Sequence, residues 1–164
     1  MKIGEQSYCC HLLIQASAAL VFMWLVLIGL DAIAASKIIW AAGASSLASS
    51  TYIVFCTPKA VSAKPQKIMG GYLIAMFCGE GIRLLANLSE HSSIHIFEIA
   101  AAVSLGLAFL LMVLLKAEHP PAAGLAVVMV LDIRNLMALG IILFAVIILL
   151  LIRIIFRHQL CDLI

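Results

Sequence analysis

Long apolar runs separated by short polar breaks make up most of this chain, at 12–30, 38–56, 68–88, 96–115 and 136–152. A helix needs about 20 apolar residues to cross a hydrocarbon core, and the first four runs each reach that length. The fifth is nearly unbroken and the most hydrophobic of all. Between the last two lies KAEHPPAAGLAVVMVL, at 116–131. Its apolar part, 122–131, makes about 15 Å of helix, half a membrane. The pattern predicts an all-α polytopic transmembrane bundle of five to six membrane segments, with six favoured and with short or broken helices among them.

Positive charge decides between five and six. Cytoplasmic loops collect Lys and Arg. With the loop 57–67 placed in the cytoplasm, a crossing 122–131 segment puts seven of the ten basic residues inside: Lys2, Lys59, Lys64, Lys67, Lys116, Arg153 and Arg157. If that segment turns back, the last two move outside. Six passes with both termini cytoplasmic is therefore the expected topology, in a membrane such as the bacterial inner membrane. Run 12–30 exceeds the apolar stretch of a signal peptide and reads as a retained span. Three passes per half also suggest an inverted 3+3 repeat: each half reads long run, short or interrupted run, long run. Such repeats often carry a solute site where their interrupted elements meet.

Composition strengthens the membrane reading. The chain has 164 residues, 65% hydrophobic and 11% charged, with a mean hydropathy of +1.21. A soluble domain averages about 25% charged residues. Residues 1–164 thus read as a single transmembrane domain. A net charge of +2 offers no basic field for nucleic acid. The five cysteines show no metal or disulfide spacing.

The interruptions carry the candidate chemistry. Pro120 and Pro121 lack amide protons and disfavour helix in the residue before them, so a break at Glu118–His119 and a fresh helix start are expected. Its first amides, at Ala122, Ala123 and Gly124, would face an anion at the positive end of the helix dipole. Gly43, Ser45 and Ser46 offer a small, hydroxyl-bearing counterpart, with a helix start expected near the two serines. Ser49 and Ser50 read as helix-packing residues. Glu80 and Arg83, three apart on one helix, form a candidate ion pair or gate, and Lys64 joins them as a candidate gating charge. His119 is also a candidate proton carrier. The stretch EHSSIHIFE at 90–98 has ligand-like spacing in His91, His95 and Glu98 but reads as an interfacial loop, with no metal assigned. No catalytic constellation emerges, so the chain reads as a non-enzyme without a cofactor.

These residues resemble the HPP family of integral membrane proteins. His119-Pro120-Pro121-Ala122 and the small run after it match that family's signature. Upstream, Gly43-Ala44-Ser45 resembles its Gly-Ala-Ser element. Ser62-Ala63-Lys64-Pro65 and Ile68-Met69-Gly70-Gly71 resemble its Leu-Ala-Gln-Pro and Ile-Gly-Gly elements, in the same order. The likeness covers about 38–151. This chain departs from the pattern at Tyr72, where the family tends to have His. It has Lys64 in place of Gln, and Ala123-Gly124-Leu125 in place of a Gly-Ala-Thr run. The resemblance implies a compact membrane protein and, for some members, nitrite transport. The expectation is transport of a small inorganic anion, nitrite being the candidate, by a homo-oligomer, most simply a dimer, in a lipid bilayer. The alternative is a non-transporting scaffold or assembly protein.

Overall fold

A computed structural model describes residues 5–33, 37–87, 94–131 and 136–163. Six α-helices and no strand occur among them: α1 Glu5–Ile33, α2 Lys37–Cys56, α3 Pro65–Asn87, α4 Ile94–Leu114, α5 Pro120–Leu131 and α6 Leu136–Ile155. Three stretches are long and apolar enough to cross a membrane by length and composition: His11–Asp31, Pro65–Asn87 and His95–Leu114. Shorter apolar helices run over Pro120–Leu131 and Leu139–Ile155. This is a multi-pass helical membrane bundle.

The helices alternate in direction. At one end the Gln15 amide of α1 donates to the carbonyls of Phe55 and Cys161. There too the Leu163 amide donates to the Cys56 carbonyl, and the Lys59 amide to Asp162. Arg153 donates to the Pro58 carbonyl, and Lys67 pairs with Glu118. The start of α1, the C-terminal tail, the α2–α3 loop and the α4–α5 corner therefore share one end, here termed the lysine face. At the other end Ala86, Ala100, Ala101 and Val130 cluster, joining the end of α3, the start of α4 and the end of α5. So α5 runs on from the corner toward the far face and does not turn back.

The packed pairs form a symmetric set. Exchanging α1 for α4, α2 for α5 and α3 for α6 maps α1·α2 onto α4·α5, α2·α6 onto α3·α5, and α1·α6 onto α3·α4. The pairs α2·α5 and α3·α6 each map onto themselves. The two halves run in opposite senses and share this list of packed pairs, although α3·α5 and α3·α4 are far more extensive than α2·α6 and α1·α6.

The halves differ in one way from the sequence reading. Helix α2 is unbroken, so Ser45 and Ser46 sit in its middle and mark no helix start. Its Gly, Ala and Ser residues mimic an interruption in composition, yet nothing in them removes a backbone donor as proline does. The real break lies before α5. Helix α4 ends with the Lys116 amide bonded to the Val113 carbonyl and that of Ala117 to the Met112 carbonyl. This is a Schellman close with Lys116 at the left-handed position, φ 54°. A non-glycine residue there costs roughly 1–2 kcal/mol. Lys116→Gly, which restores glycine's freedom only where it is used, should raise stability by about 0.5–1 kcal/mol in a thermal or denaturant melt in detergent.

Glycines of α3 seat the corner and the helix that follows it. A Cβ on Gly71 would lie 2.7 Å from the His119 Cβ, and one on Gly79 would lie 2.8 Å from the Ala126 carbonyl oxygen. Only bare backbone lets α3 and α5 approach so closely.

Candidate functional site

His119 is fully buried where the corner meets α2, α3 and the α2–α3 loop. Its Nδ1 lies 3.0 Å from the Ser62 carbonyl oxygen. On the other side of the ring, Nε2 lies 2.8 Å from the Ser50 hydroxyl. The Ser50 oxygen is 2.9 Å from the Tyr72 hydroxyl, and Tyr72 is in turn 3.0 Å from the Ser46 hydroxyl. Ser46 then donates to the Pro121 carbonyl at 2.7 Å. The rings of Tyr72 and His119 lie 5.8 Å apart at a tilt of 39°. Tyr72, Ser46 and Ser50 are buried with the histidine. Low dielectric strengthens each of these bonds and makes an unpaired polar atom costly.

Beside this chain of bonds lies a small polar groove of about 190 Å³. Ser45, Ser46 and Ser49 of α2 form one wall, and Pro120, Pro121, Gly124 and Val128 of α5 form the other. Ser46 belongs to both features. The neighbouring outer faces of α1, α3, α4 and α6 are lined by large apolar side chains such as Leu13, Phe77, Phe109 and Phe144. The groove is thus a polar notch in an apolar surface, between α2 and α5. A larger crevice of about 670 Å³ between α1 and α6 is walled chiefly by Ile14, Val21, Leu25, Ile148 and Ile152. It is mostly apolar, with His11, Gln15, Ser17 and Gln159 the polar side chains along it.

The structure gathers some of the predicted site residues and separates others. Ser45, Ser46, Pro120, Pro121 and Gly124 line the groove, and His119 sits behind it. Gly43 instead packs against Ile142 and Leu30. Ala122 is buried against α3 near Gly71. Ala123 is half-buried and stands outside the groove lining. The α5 start also offers fewer donors than its position suggests. Pro120 and Pro121 have no amide proton, and the Ala122 amide donates to the His119 carbonyl at 3.0 Å. The groove's polar lining is therefore hydroxyl, with Ser46 itself donating to the Pro121 carbonyl and Ser49 to the Ser45 carbonyl.

The proposed gating charges lie apart from it. Arg83 donates to both carboxylate oxygens of Glu80, making a self-contained, part-exposed pair further along α3. Lys64 is exposed at the lysine face. Lys67 pairs with Glu118 beside the corner and holds that carboxyl below the usual carboxylate range. His95 pairs with Glu98 at 3.2 Å, while His91 lies outside the described residues.

Three members of the buried chain carry no site role in the sequence reading. Ser50 reads there as packing, Ser62 as a motif residue, and Tyr72 as a departure from a family pattern. Tyr72 directly follows Gly70-Gly71, but successive helix residues point about 100° apart, so that place carried no signal of its contact.

A family model described as HPP, transmembrane region, matches residues 7–160. No curated protein and no solved structure matches the chain.

Proposed function

The chain belongs to the HPP transmembrane family, and from that we propose that it carries a small inorganic anion across the bilayer, nitrite being the candidate the family resemblance supplies. The groove between α2 and α5 carries this reading. It is a hydroxyl-lined notch in an otherwise apolar surface, at the crossing of two inverted halves, next to the positive end of α5. Ser45, Ser46 and Ser49 line it with hydroxyls, those of Ser46 and Ser49 turning from their backbone carbonyls to reach a solute, and Gly124 leaves room for one. Ala123 and Gly43 act as second-row packing. Lys64 and Lys116, both exposed on the lysine face, draw anions toward the corner.

In this reading residues 1–164 act as one transmembrane unit, a permease and not an enzyme. The lysine face is cytoplasmic, by the positive-inside rule, in a bacterial inner membrane. The groove opens onto the apolar outer surface of the bundle. A second copy of the chain covers it, giving a homodimer. A monomeric mass in mild detergent counts against that part.

Nitrite influx into proteoliposomes tests the main claim, at a pH that suppresses leakage of nitrous acid. Influx should exceed that of empty vesicles, and Ser45→Ala together with Ser49→Ala should lower it about tenfold, one hydrogen bond's worth of binding per hydroxyl. Equal influx with and without protein removes the transport reading and leaves a membrane scaffold.

A further inference from the structure

The crevice between α1 and α6, about 670 Å³ in volume, is within the size range of sites that hold a bound small molecule. Its polarity is graded along its length. At the lysine face its walls carry His11 and Gln15 of α1 and Gln159 of the C-terminal tail. Away from that face they become apolar, with Val21 and Leu25 on α1 and Ile148 on α6. From His11 to Leu25 the helix rises about 21 Å. One leaflet with its headgroups, half of a bilayer, is about 20–22 Å thick. The crevice therefore runs the depth of one leaflet, polar at the headgroup level and apolar below it. That is the profile of a single phospholipid lying along α1.

Gln15 supplies an independent observation. It is 3% exposed, and its Nε2 donates to the carbonyls of Phe55 and Cys161. Both partners are backbone carbonyls, which only accept, so the amide cannot be turned over. Its Oε1 is buried and has no hydrogen-bond partner among the described residues. A buried acceptor without a donor is costly. The side chain forms part of the crevice wall, so a ligand at the polar end that can donate would complete it.

Charge selects among headgroups. Arg157 and His158 are exposed in the tail directly before Gln159. Arg157 donates to His158 through Nε, and a guanidinium has four further N–H groups suited to a phosphate. No acidic side chain is among the described residues that line the crevice, and the tail's Asp162 is paired with Lys59. An ammonium headgroup would thus meet positive charge with nothing to offset it. An anionic phosphate bearing free hydroxyls meets both needs, charge for Arg157 and a donor for Gln15.

We infer that the α1–α6 crevice is the site of one anionic phospholipid with a hydroxyl-bearing headgroup, the chemistry of phosphatidylglycerol. Its phosphate faces Arg157, a headgroup hydroxyl donates to the Gln15 Oε1, and one acyl chain lies between α1 and α6 as far as Leu25. The lipid thereby joins the first helix to the last at the lysine face. The site is separate from the α2–α5 groove and does not depend on the transport reading.

The test is native mass spectrometry of the full chain in mild detergent, after incubation with equimolar pairs of dioleoyl lipids and removal of the excess. Phosphatidylmethanol has the same charge as phosphatidylglycerol but no hydroxyl, and phosphatidylethanolamine has a donor but no net charge. One phosphatidylglycerol per chain should be retained, preferred about fivefold to tenfold over each competitor, the effect of one hydrogen bond or one exposed ion pair. Arg157→Gln should erase the preference over phosphatidylethanolamine alone. Ala18→Trp, which fills the crevice and leaves Gln15 in place, should abolish retention; Ala18→Leu takes its part if the tryptophan variant shows no cooperative melt. Equal retention of all three lipids makes the crevice a place for any acyl chain and overturns the inference. Equal retention of phosphatidylglycerol and phosphatidylmethanol removes the Gln15 contact and the inference with it. Undiminished retention in the Ala18 variant puts the lipid elsewhere and overturns it too.

Discussion

Gly79→Ala should be the most damaging single-methyl change in the bundle, costing roughly 3 kcal/mol or more by the measure of overpacked cores. The added Cβ would lie 2.6 Å from the Met129 Cβ and 2.8 Å from the Ala126 carbonyl oxygen. Neither neighbour can swing aside, since one is attached directly to the α5 backbone and the other belongs to it. Helix α5 would have to move off α3, and the contact between Ser104 and the Ala126 carbonyl would go with it. Gly81→Ala, two residues on, is the control. Nothing lies within 4 Å of its Cβ, and helix propensity alone predicts a gain of about 0.5–1 kcal/mol. Unfolding of both variants by SDS titration separates the two effects. Equal stability would mean that α3 and α5 do not meet through Gly79.

His119→Ala should rank next, at about 3 kcal/mol. Truncating a fully buried ring leaves a cavity, which for large side chains costs about 2–5 kcal/mol. Two hydrogen bonds are lost as well, each worth about 1 kcal/mol. The loss should appear as a lower melting temperature in detergent and as faster proteolysis within the α2–α3 loop, because Ser62 is held there by Nδ1. Tyr72→Phe should cost less, about 1 kcal/mol, because Ser46 and Ser50 each keep another acceptor. A His119→Ala protein as stable as the wild type would show that the corner is not anchored by its imidazole.

Much of the architecture could be read residue by residue. The run lengths anticipated the bounds of α2, α3, α4 and α6 within a few residues, and those of α1 at its C-terminal end only. The double proline located the start of α5 at Pro120 because its chemistry is local: a missing donor and a steric bar on the preceding residue. The order of His-Pro-Pro, Gly-Ala-Ser and Gly-Gly elements pointed to the family that the match over 7–160 establishes. The likeness between the halves, faint in residue identity, reappears in which helices touch but not in how extensively they pack. Opposed helices need only similar small-residue surfaces to pack alike, so geometry can repeat where identities do not.

The candidate site was less legible. Gly43 stands one turn from Ser46 yet packs toward α6, and no spacing rule in the chain says which way it faces. The α5 amides looked available until the Ala122 donor was found on the His119 carbonyl. Tyr72 stood out only as a departure from a pattern, and Ser62 as one letter in a motif. Both touch the chain of bonds through partners on other elements, 57 residues away in the case of Ser62 and His119.

The sequence by itself determined that this protein lives in a membrane, where most of its helices run and that the chain breaks before Pro120. Those properties follow from summed transfer preference and from proline's own backbone. Only the tertiary structure decided which polar groups meet. In a soluble helix the alternation of polar and apolar residues reveals the inward side. A helix surrounded by lipid is apolar on nearly every side, so its rotation and depth are set by close contacts such as those at Gly71 and Gly79. Those contacts bring His119, Ser50, Tyr72 and Ser46 together.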